Sequence, residues 1–471
     1  MTAPAETGIA SKPVRFGRTF AFLIILVVAA VSYARLPGQR EFAIFDTTPP
    51  TPYFRYTPIG TSRGRLLVVH GLDSSKNVMN ILCYDLADAG FEVFAIDLPG
   101  HGESTAGFTA FDARDVVDQV LSRLGSDTAV VGHSLGGALF LDIASDRRIP
   151  QMVLFSPAPT PLQRIDSDRV LVLIGQFDPG RIRAFIPQIR AAVRGSTDLR
   201  DLAWTGHSGG FFEPRVIRDV VNWLGGPTYS GHASDRLFLL AVMLLSSLAL
   251  GWSLWTFLAV REMKDPVAAS SPLMIVYYVA AATISVVILS FVNVVSWLRL
   301  FTTDYLVGVL LLTGLLLIVR FRPKIAISAR HVLASVAAAA YIIGMVRFTA
   351  PEFAHAALSA DRWWRFAAIA LLGFPLFLAD ETLLRPASSR RRAAAVALAT
   401  RLVVGAMAVT GALILNREAA FLLLMAHAVI FFWLLLWFLG GVVRRRTDPF
   451  SAALFTTLVQ AWIFSALFIT T

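Results

Sequence analysis

The segment Gly-His-Ser-Leu-Gly at residues 132–136 constrains this chain more than any other. It follows an apolar run at 128–131 and precedes a helix-like apolar run at 137–141. A Gly-x-Ser-x-Gly motif between a strand and a helix predicts a sharp turn that presents the serine oxygen at the edge of a sheet. A serine hydroxyl is a weak nucleophile by itself, so this geometry requires a base and an acid that orients the base.

Composition divides the chain into two kinds of sequence. Of the 471 residues, 56% are hydrophobic and only 16% are charged, whereas soluble domains are about a quarter charged. Residues 38–230 have an ordinary globular composition, and 231–471 are dominated by long apolar runs. The sequence therefore predicts an N-terminal segment at 1–37, a globular domain at 38–230 and an all-α membrane domain at 231–471.

The positive charge does not indicate nucleic-acid binding. The formal net charge is +10, but many arginines lie in clusters between apolar runs, where such clusters set membrane topology. Cys83 is the single cysteine, so it cannot form an intrachain disulfide, and its apolar surroundings predict core packing.

Nine apolar segments are candidates for membrane spans. The first, at 19–34, is short for a spanning helix, which needs about 20 residues, and it follows basic residues. It is either a signal peptide or a signal anchor, and both place the following domain outside the cytoplasm. The other eight lie at 237–260, 273–298, 305–319, 331–348, 366–384, 401–415, 419–443 and 450–469.

The distribution of arginine predicts the orientation. Clusters of arginine lie at 320–330, 385–392 and 444–446. The loops that alternate with these clusters are poor in positive charge and lie at 299–304, 350–362 and 416–418. Positive loops stay in the cytoplasm. We therefore expect a multi-pass protein of the cell membrane, with a cytoplasmic N-terminus and an extracytoplasmic globular domain.

Four polar residues fall within or near the predicted spans: Asn293, Arg347, Asp380 and His427. Such residues are costly in a bilayer and often functional. Arg347 and Asp380 lie near predicted ends, where their side chains can reach the interface. His427 is central, and a helix contact is a better interpretation there than a proton relay.

The globular domain alternates strand-like and helix-like segments. Short apolar runs at 65–69, 91–96, 128–131, 151–155 and 169–174 predict buried strands. Amphipathic segments at 78–89 and 113–124, each followed by glycine, predict helices. This alternation predicts a doubly wound, mostly parallel sheet.

Further motifs follow the predicted strands. His70-Gly71-Leu72 comes after the first strand, Asp-Leu-Pro-Gly-His-Gly-Glu-Ser at 97–104 comes after the second, and Asp178 and His207 follow later ones. Together with the serine motif, residues 60–225 resemble the α/β-hydrolase superfamily, close to its serine aminopeptidase and monoacylglycerol-lipase-like branch. The order Ser…Asp…His is the order of that fold.

We therefore predict Ser134 as the nucleophile, His207 as the base and Asp178 as the acid that orients the histidine. Asp166 and Asp168 precede their strand and are weaker candidates. The backbone N–H of Leu135 would be one oxyanion donor, and the resemblance places the second at Leu72. The competing histidines are His70, His101 and His133; the resemblance implies structural roles for His70 and His133, and His101 lies in a loop after a strand.

One departure from the resemblance concerns access to the site. Many relatives insert a lid domain where this chain has only residues 156–168, so the site should be open unless the membrane helices or their loops cover it. No organic cofactor is implied, and the spacing of the motif residues does not suit zinc.

The predicted activity is hydrolysis of esters of lipid or acylated envelope substrates through an acyl-enzyme. Three alternatives remain open at this point: an acyltransferase, a peptidase that uses the same three residues, and a transporter or scaffold with a hydrolase-like sensor domain. The oligomeric state cannot be predicted.

Overall fold

A computed structural model describes residues 12–58, 60–226, 231–258, 273–301, 304–353, 355, 357–385, 390–415 and 422–471. The chain forms an α/β domain built on one sheet, followed by a region of long apolar helices. The α/β domain begins with a strand at Gln39, and the first long helix after it begins at Ala233.

The sheet has eight strands in the order β1-β2-β4-β3-β5-β6-β7-β8. The pairs β1–β2 and β2–β4 are antiparallel, and every later pair is parallel. The strands are β1 Gln39–Phe45, β2 Thr51–Thr57, β3 Arg65–Val69, β4 Glu92–Ile96, β5 Ala129–His133, β6 Gln151–Phe155, β7 Arg169–Gly175 and β8 Ser196–Leu202. The predicted mostly parallel sheet is confirmed.

The sheet extends beyond the five apolar runs of the sequence. β1 and β2 were not predicted, because β1 is a half-exposed edge strand with charged residues. β8 was also not predicted at its position: residues 202–204, just before His207, look strand-like in the sequence, but only Leu202 belongs to a strand. β8 ends at Leu202, and its sequence Ser-Thr-Asp-Leu-Arg-Asp-Leu has no apolar run because it forms the other, exposed edge.

Both faces of the sheet are covered, as the continuous apolar strands require. On β3, Leu66 and Val68 pack on one face, and Leu67 and Val69 on the other. The helices of this domain are α2 Asn80–Asp88, α3 Ala110–Leu124, α4 Leu135–Ile143, α5 Gly180–Arg183, α6 Ile186–Ala192 and α7 Pro214–Trp223.

Two predicted helix starts needed correction. The helix predicted from residue 78 is preceded by a 3₁₀ turn at Lys76–Met79, and α2 itself begins at Asn80. α3 begins at Ala110 rather than 113, since the Thr109 side chain accepts a hydrogen bond from the Asp112 N–H and caps the helix. Cys83 is fully buried in α2, as expected.

Within the described residues, eight helices are long and apolar enough to cross a membrane, and α14 adds a shorter apolar stretch, Ile430–Arg444. This is consistent with a multi-pass membrane protein. The eight candidate spans lie in α1 Lys12–Ala34, α8 Ala233–Leu258, α9 Leu273–Phe291, α10 Asp304–Phe321, α11 Ala329–Thr349, α12 Trp363–Ala379, α13 Arg390–Leu415 and α15 Pro449–Leu467. The helix with the shorter stretch is α14 Leu422–Arg444.

The polar residues of the predicted spans lie in different environments. Asn293 is not in a span, because α9 ends at Phe291; its side chain donates to Asp304 at 3.2 Å. Arg347 is exposed in the last turn of α11. The side chain of His427 lies outside the described residues.

The interpretation of Asp380 as a residue that reaches the interface is wrong. Asp380 is 2% exposed and forms an ion pair with Arg401, and it accepts a hydrogen bond from the Tyr278 hydroxyl at 2.8 Å. The reason is that α13 begins at Arg390, a full three turns before the predicted start at 401. Arg401 therefore lies inside the bundle and meets Asp380 there.

Three sets of contacts connect the helices after the α/β domain to that domain or to α1, which precedes it. α1 packs along α8, where the hydroxyls of Thr19 and Ser253 are 2.5 Å apart. The loop after α11 contacts the α/β domain, and the Pro351 carbonyl accepts a hydrogen bond of 2.8 Å from the Asn77 side chain. The C-terminal residues after α15 contact it as well, as described below.

Candidate functional site

The predicted nucleophile lies on a sharp turn between β5 and α4. Ser134 has φ 49° and ψ −108°, a conformation that side-chain-bearing residues rarely adopt and that is concentrated at functional sites. Gly132 permits this turn, since a Cβ there would lie 2.6 Å from the Gly137 nitrogen. The Ser134 N–H donates to the Phe155 carbonyl at 2.9 Å, which ties the turn to β6.

The structure brings the three predicted catalytic side chains together at the carboxyl edge of the sheet. His207 Nε2 is 3.0 Å from Ser134 Oγ, and His207 Nδ1 is 2.6 Å from Asp178 Oδ1. These residues follow β5, β7 and β8, whose carboxyl ends share one edge. The arrangement allows the histidine to take the serine proton while the aspartate holds the other ring nitrogen.

Asp178 is held in its ionised form. Burial alone raises the pKa of its carboxyl group, but the hydrogen bond from His207 and two further donors outweigh that effect and lower the pKa below its usual value. The further donors are the Ser156 hydroxyl and the Gly175 N–H, each 2.6 Å from Oδ2.

Ser156 was missed by the sequence analysis. It is the first residue after β6, and its φ of 44° directs the side chain toward the neighbouring β7 loop, where Asp178 lies. Its position directly after a buried strand, between the strands that carry Ser134 and Asp178, is the signal that could have identified it.

The two predicted oxyanion donors lie beside the nucleophile. Leu135 is the first residue of α4, where backbone N–H groups have no acceptor within the helix. The loop that carries Leu72 runs against the serine, because a Cβ on Gly71 would come within 3.1 Å of the Ser134 Cβ and 2.6 Å of His133 Nδ1. Leu72 and Leu135 therefore belong to two separate segments next to the serine, as the prediction of two oxyanion donors requires.

The competing histidines hold loops rather than the serine. His70 is fully buried, its Nδ1 lies 2.7 Å from the Gly71 carbonyl, and its Nε2 accepts from the Leu98 N–H at 3.2 Å. His133 Nε2 lies 3.1 Å from the backbone carbonyl of His207. Burial lowers the pKa of His133 to about 3, and that of His101 also to about 3, so both rings are neutral at pH 7.

A buried ion pair fixes the loop at 97–104. Lys76 Nζ lies 2.5 Å from Asp97 Oδ2 and 2.5 Å from Glu103 Oε2, and both Lys76 and Asp97 are inaccessible to solvent. Burial raises the pKa of Asp97, but the Lys76 charge and further hydrogen bonds outweigh it and lower that pKa. These residues stabilise the loop beside the site and do not contact the serine.

A cavity of about 200 Å³ adjoins the site, and residues from both parts of the chain form its wall. The α/β domain contributes the neighbours of the predicted catalytic residues, and the helical region contributes residues of the loop after α11 and of the end of α15. The wall residues are Leu72, Asp73, Ser74, Ser75, Val78, Gly102, His133, Ser208, Phe211, Phe353, His355, Ala466 and Leu467.

The connection between β6, which ends at Phe155, and β7, which begins at Arg169, is described throughout and contains no helix. The site is nevertheless covered on one side, which is the exception the sequence analysis allowed. Phe353 packs on Phe212, with ring centroids 5.3 Å apart, and Leu72 packs against the core of the apolar helices.

The C-terminal residues also cover this edge. The Thr470 N–H donates to the Gly100 carbonyl at 3.1 Å, and the Phe108 N–H donates to the Thr470 carbonyl at 2.8 Å. Arg362, which is fully buried, donates to Gly100 and to three carbonyls between Ser465 and Phe468. The loop at 97–108 is therefore attached to the end of α15.

Among the residues that the structure describes, no group of three or more His, Cys, Asp or Glu side chains is arranged to hold a metal ion. The side chains at the site provide a hydroxyl, an imidazole and a carboxylate in hydrogen-bond contact, which is sufficient for proton transfer to and from a serine oxygen.

Comparisons with known proteins agree with this fold. The family model described as alpha/beta hydrolase fold matches residues 64–211. A dihydrolipoyllysine-residue acetyltransferase component of the acetoin cleaving system from Cupriavidus necator is 35% identical over 109 residues, which are 22% of this chain and 29% of that protein. Lipase LipV of Mycobacterium tuberculosis is 30% identical over 142 residues, which are 28% of this chain and 51% of the lipase.

This chain thus spans about half or less of the length of these two curated relatives. Among solved structures, a monoacylglycerol lipase from Paleococcus ferrophilus matches 40% of this chain and 98% of its own, with 21% identity and a TM-score of 0.32. The carboxylesterase CesB from Bacillus subtilis matches 45% of this chain and all of its own, with 16% identity and a TM-score of 0.33.

The family match, the mostly parallel sheet and the sharp serine turn lead to one assignment. The chain contains a hydrolase domain of the α/β-hydrolase fold, joined to a C-terminal region with several apolar helices.

Proposed function

We propose that this chain is a membrane-bound serine hydrolase that cleaves esters of lipid or acylated envelope substrates at the outer face of the cell membrane. The observation that carries the proposal is the continuous hydrogen-bonded series from Ser134 through His207 to Asp178 on the sharp turn after β5. The similarity to Lipase LipV of Mycobacterium tuberculosis supports an ester substrate.

The proposed reaction proceeds through an acyl-enzyme. Ser134 Oγ forms a bond to the ester carbonyl carbon as His207 Nε2 takes its proton, and the N–H groups of Leu72 and Leu135 bind the resulting oxyanion. The ester C–O bond then breaks, and the leaving alcohol takes the proton from His207. Water, deprotonated by His207, attacks the acyl-enzyme, and the acid and free Ser134 are released.

Two contacts support the proposed orientation. Two of the loops poor in positive charge, which the arginine pattern places outside, contact the hydrolase domain: Glu352 pairs with Arg40, and the Phe301 ring packs on Phe108 with centroids 5.5 Å apart. One orientation therefore satisfies both the charge rule and the contacts. The packing of α1 along α8 supports a retained signal anchor rather than a cleaved signal peptide.

The experiment that tests the proposal is ester hydrolysis by the purified full-length protein. Ser134→Ala and His207→Ala should each lower kcat by about 10⁴-fold or more, because each removes a group on which the whole mechanism depends. Asp178→Asn should also be severe. Ser208→Ala, next to the base, is the control. Full activity of Ser134→Ala would contradict the proposal, and product analysis with an added alcohol acceptor separates hydrolysis from acyl transfer.

A further inference from the structure

We propose that Phe353 and His355, two residues of the loop after α11, determine which esters the site accepts, and that they select a small uncharged group. The inference rests on the proposed function and deepens it. Its basis is the composite cavity, whose wall needs residues from outside the hydrolase domain.

The cavity is placed to receive one part of an ester. Its wall includes Leu72, His133 and Ser208, which are a predicted oxyanion donor and the direct neighbours of the nucleophile and the base. Ser134 itself, although described, is not part of the wall. The cavity therefore lies beside the reacting carbonyl, where the group attached to that carbonyl on one side must go.

The volume limits the size of that group. A cavity of about 200 Å³ is smaller than the roughly 300–1,000 Å³ of pockets that enclose drug-sized ligands. A long acyl chain is too large for this volume, so we place it outside the cavity.

The charge of the wall favours a neutral group. Among the described wall residues there is no lysine or arginine, and the nearby Lys76 ammonium already contacts Asp97 and Glu103. The carboxylate oxygens of Asp73 are buried, and burial raises the pKa of this group to about 7, although the Ile469 backbone partly lowers it. A phosphate group would therefore find no counter-charge, and a cationic group would find only the Asp73 carboxyl, which is at most half ionised at pH 7 and below.

The hydrolase domain fixes the loop that closes the cavity. Three contacts hold it: the Pro351 carbonyl with Asn77, the Arg40–Glu352 ion pair, and the His355 N–H, which donates to Ser75 Oγ at 3.3 Å. Phe353 in turn packs on the Phe212 ring. Because both ends of this short segment are held, Phe353 and His355 form a defined wall rather than a loose cover.

His355 supplies hydrogen-bonding capacity without charge. Burial of the imidazole lowers its pKa, and Lys76 and Arg362 lower it further, while Glu103 and Asp97 oppose the shift without reversing it. A neutral imidazole has one donor and one acceptor, which suits a hydroxyl or carbonyl of the bound group. Phe353 supplies an apolar surface that limits the length of that group.

The test compares esters of one acyl chain that differ in the alcohol: ethyl, benzyl, glycol, choline and phosphoglycol esters. With the full-length protein, kcat/KM should be about tenfold or more higher for the ethyl and glycol esters than for the choline and phosphoglycol esters. His355→Phe should lower the glycol-to-ethyl ratio about three- to tenfold, the range expected for one hydrogen bond. Phe353→Ala should raise the benzyl-to-ethyl ratio severalfold.

Controls separate specificity from folding. His232→Phe and Phe111→Ala make the same substitutions outside the cavity and should leave both ratios unchanged, and His355→Gln should keep much of the glycol preference. The rate at which a fluorophosphonate labels Ser134 should match wild type in every variant.

Unchanged ratios in both His355→Phe and Phe353→Ala would overturn the inference, as would equal cleavage of charged and neutral esters by the wild-type protein. Failure of the wild-type protein to cleave any ester would instead overturn the proposed function on which the inference rests.

Discussion

Arg40 on β1 donates a hydrogen bond of 2.8 Å to the carboxylate of Glu352, a residue 312 positions later in the chain. The Glu352 side chain is 3% exposed and that of Arg40 is 21% exposed, so water screens this pair little. The contact links an edge strand of the hydrolase domain to the loop that lines the cavity. It couples the stability of the interface to the shape of the site.

Breaking this ion pair should destabilise the interface. Arg40→Ala leaves the Glu352 carboxylate buried without its partner, a change that costs about 3–5 kcal/mol for buried pairs. We expect a lower thermal inactivation temperature in detergent and a weaker preference among esters. In the double variant Arg40→Met with Glu352→Met, most of the loss should be recovered. Equal inactivation temperatures for Arg40→Ala and wild type would show that the pair does not hold the interface.

Removing the Ser156 hydroxyl should shift the pH dependence of catalysis. Its donor stabilises the ionised form of Asp178 and lowers that pKa. Ser156→Ala leaves more of the carboxylate's negative charge to stabilise the imidazolium of His207, so the acid limb of the kcat/KM profile, which reports protonation of the base, should move to higher pH. Because the pKa of Asp178 is lower in the folded than in the unfolded state, these hydrogen bonds stabilise the fold at pH above about 4. That stability is lost as the pH falls.

The matched control for this change is Ser122→Ala, an exposed serine on α3. Ser122→Ala should not change the pH dependence of kcat/KM. An acid limb that moves to lower pH in Ser156→Ala, or does not move, would contradict the role assigned to Ser156.

The sequence predicted the parts of the fold that are encoded locally. The sharp serine turn, the buried parallel strands and the order of Ser134, Asp178 and His207 all follow from short segments with strong patterns. β1 and β8 were not predicted from the sequence, because these edge strands are half exposed and carry charged residues and therefore lack an apolar run. In such strands, pairing rather than composition decides the structure.

Contacts between distant segments could not be predicted in the same way. The cavity wall joins Leu72 to Phe353 and Leu467, and nothing in the local sequence of any of these residues indicates the others. The ion pair between Asp380 and Arg401 was not predicted for a related reason. The start of α13 was placed too late, so Arg401 was assigned to a helix end and its burial was not foreseen.

The Asp380–Arg401 pair should be essential for assembly of the helices. Asp380→Leu leaves the Arg401 guanidinium, 4% exposed, without its counter-charge and should sharply reduce the yield of folded protein. Asp380→Leu combined with Arg401→Leu should restore most of that yield, measured by size-exclusion chromatography in detergent. A double variant as poor as the single one would indicate that the pair has a role beyond charge compensation.

The proposed orientation predicts which positions a membrane-impermeant thiol reagent reaches. In a Cys83→Ala background, Ser196→Cys on the exposed edge strand β8 should react in intact cells from which any outer barrier has been removed. Lys324→Cys, in the arginine-rich connection after α10, should react only after the membrane is permeabilised. The opposite pattern would place the hydrolase domain in the cytoplasm.

The most direct test of the central claim is covalent labelling of Ser134. Isolated membranes that contain the full-length protein are treated with a fluorophosphonate, and the modified peptide is identified by mass spectrometry. The account predicts one modified residue, Ser134, with labelling abolished in Ser134→Ala and strongly slowed in His207→Ala, since the imidazole must accept the serine proton. Labelling that persists in Ser134→Ala, or modification of another serine at the same rate, would contradict it.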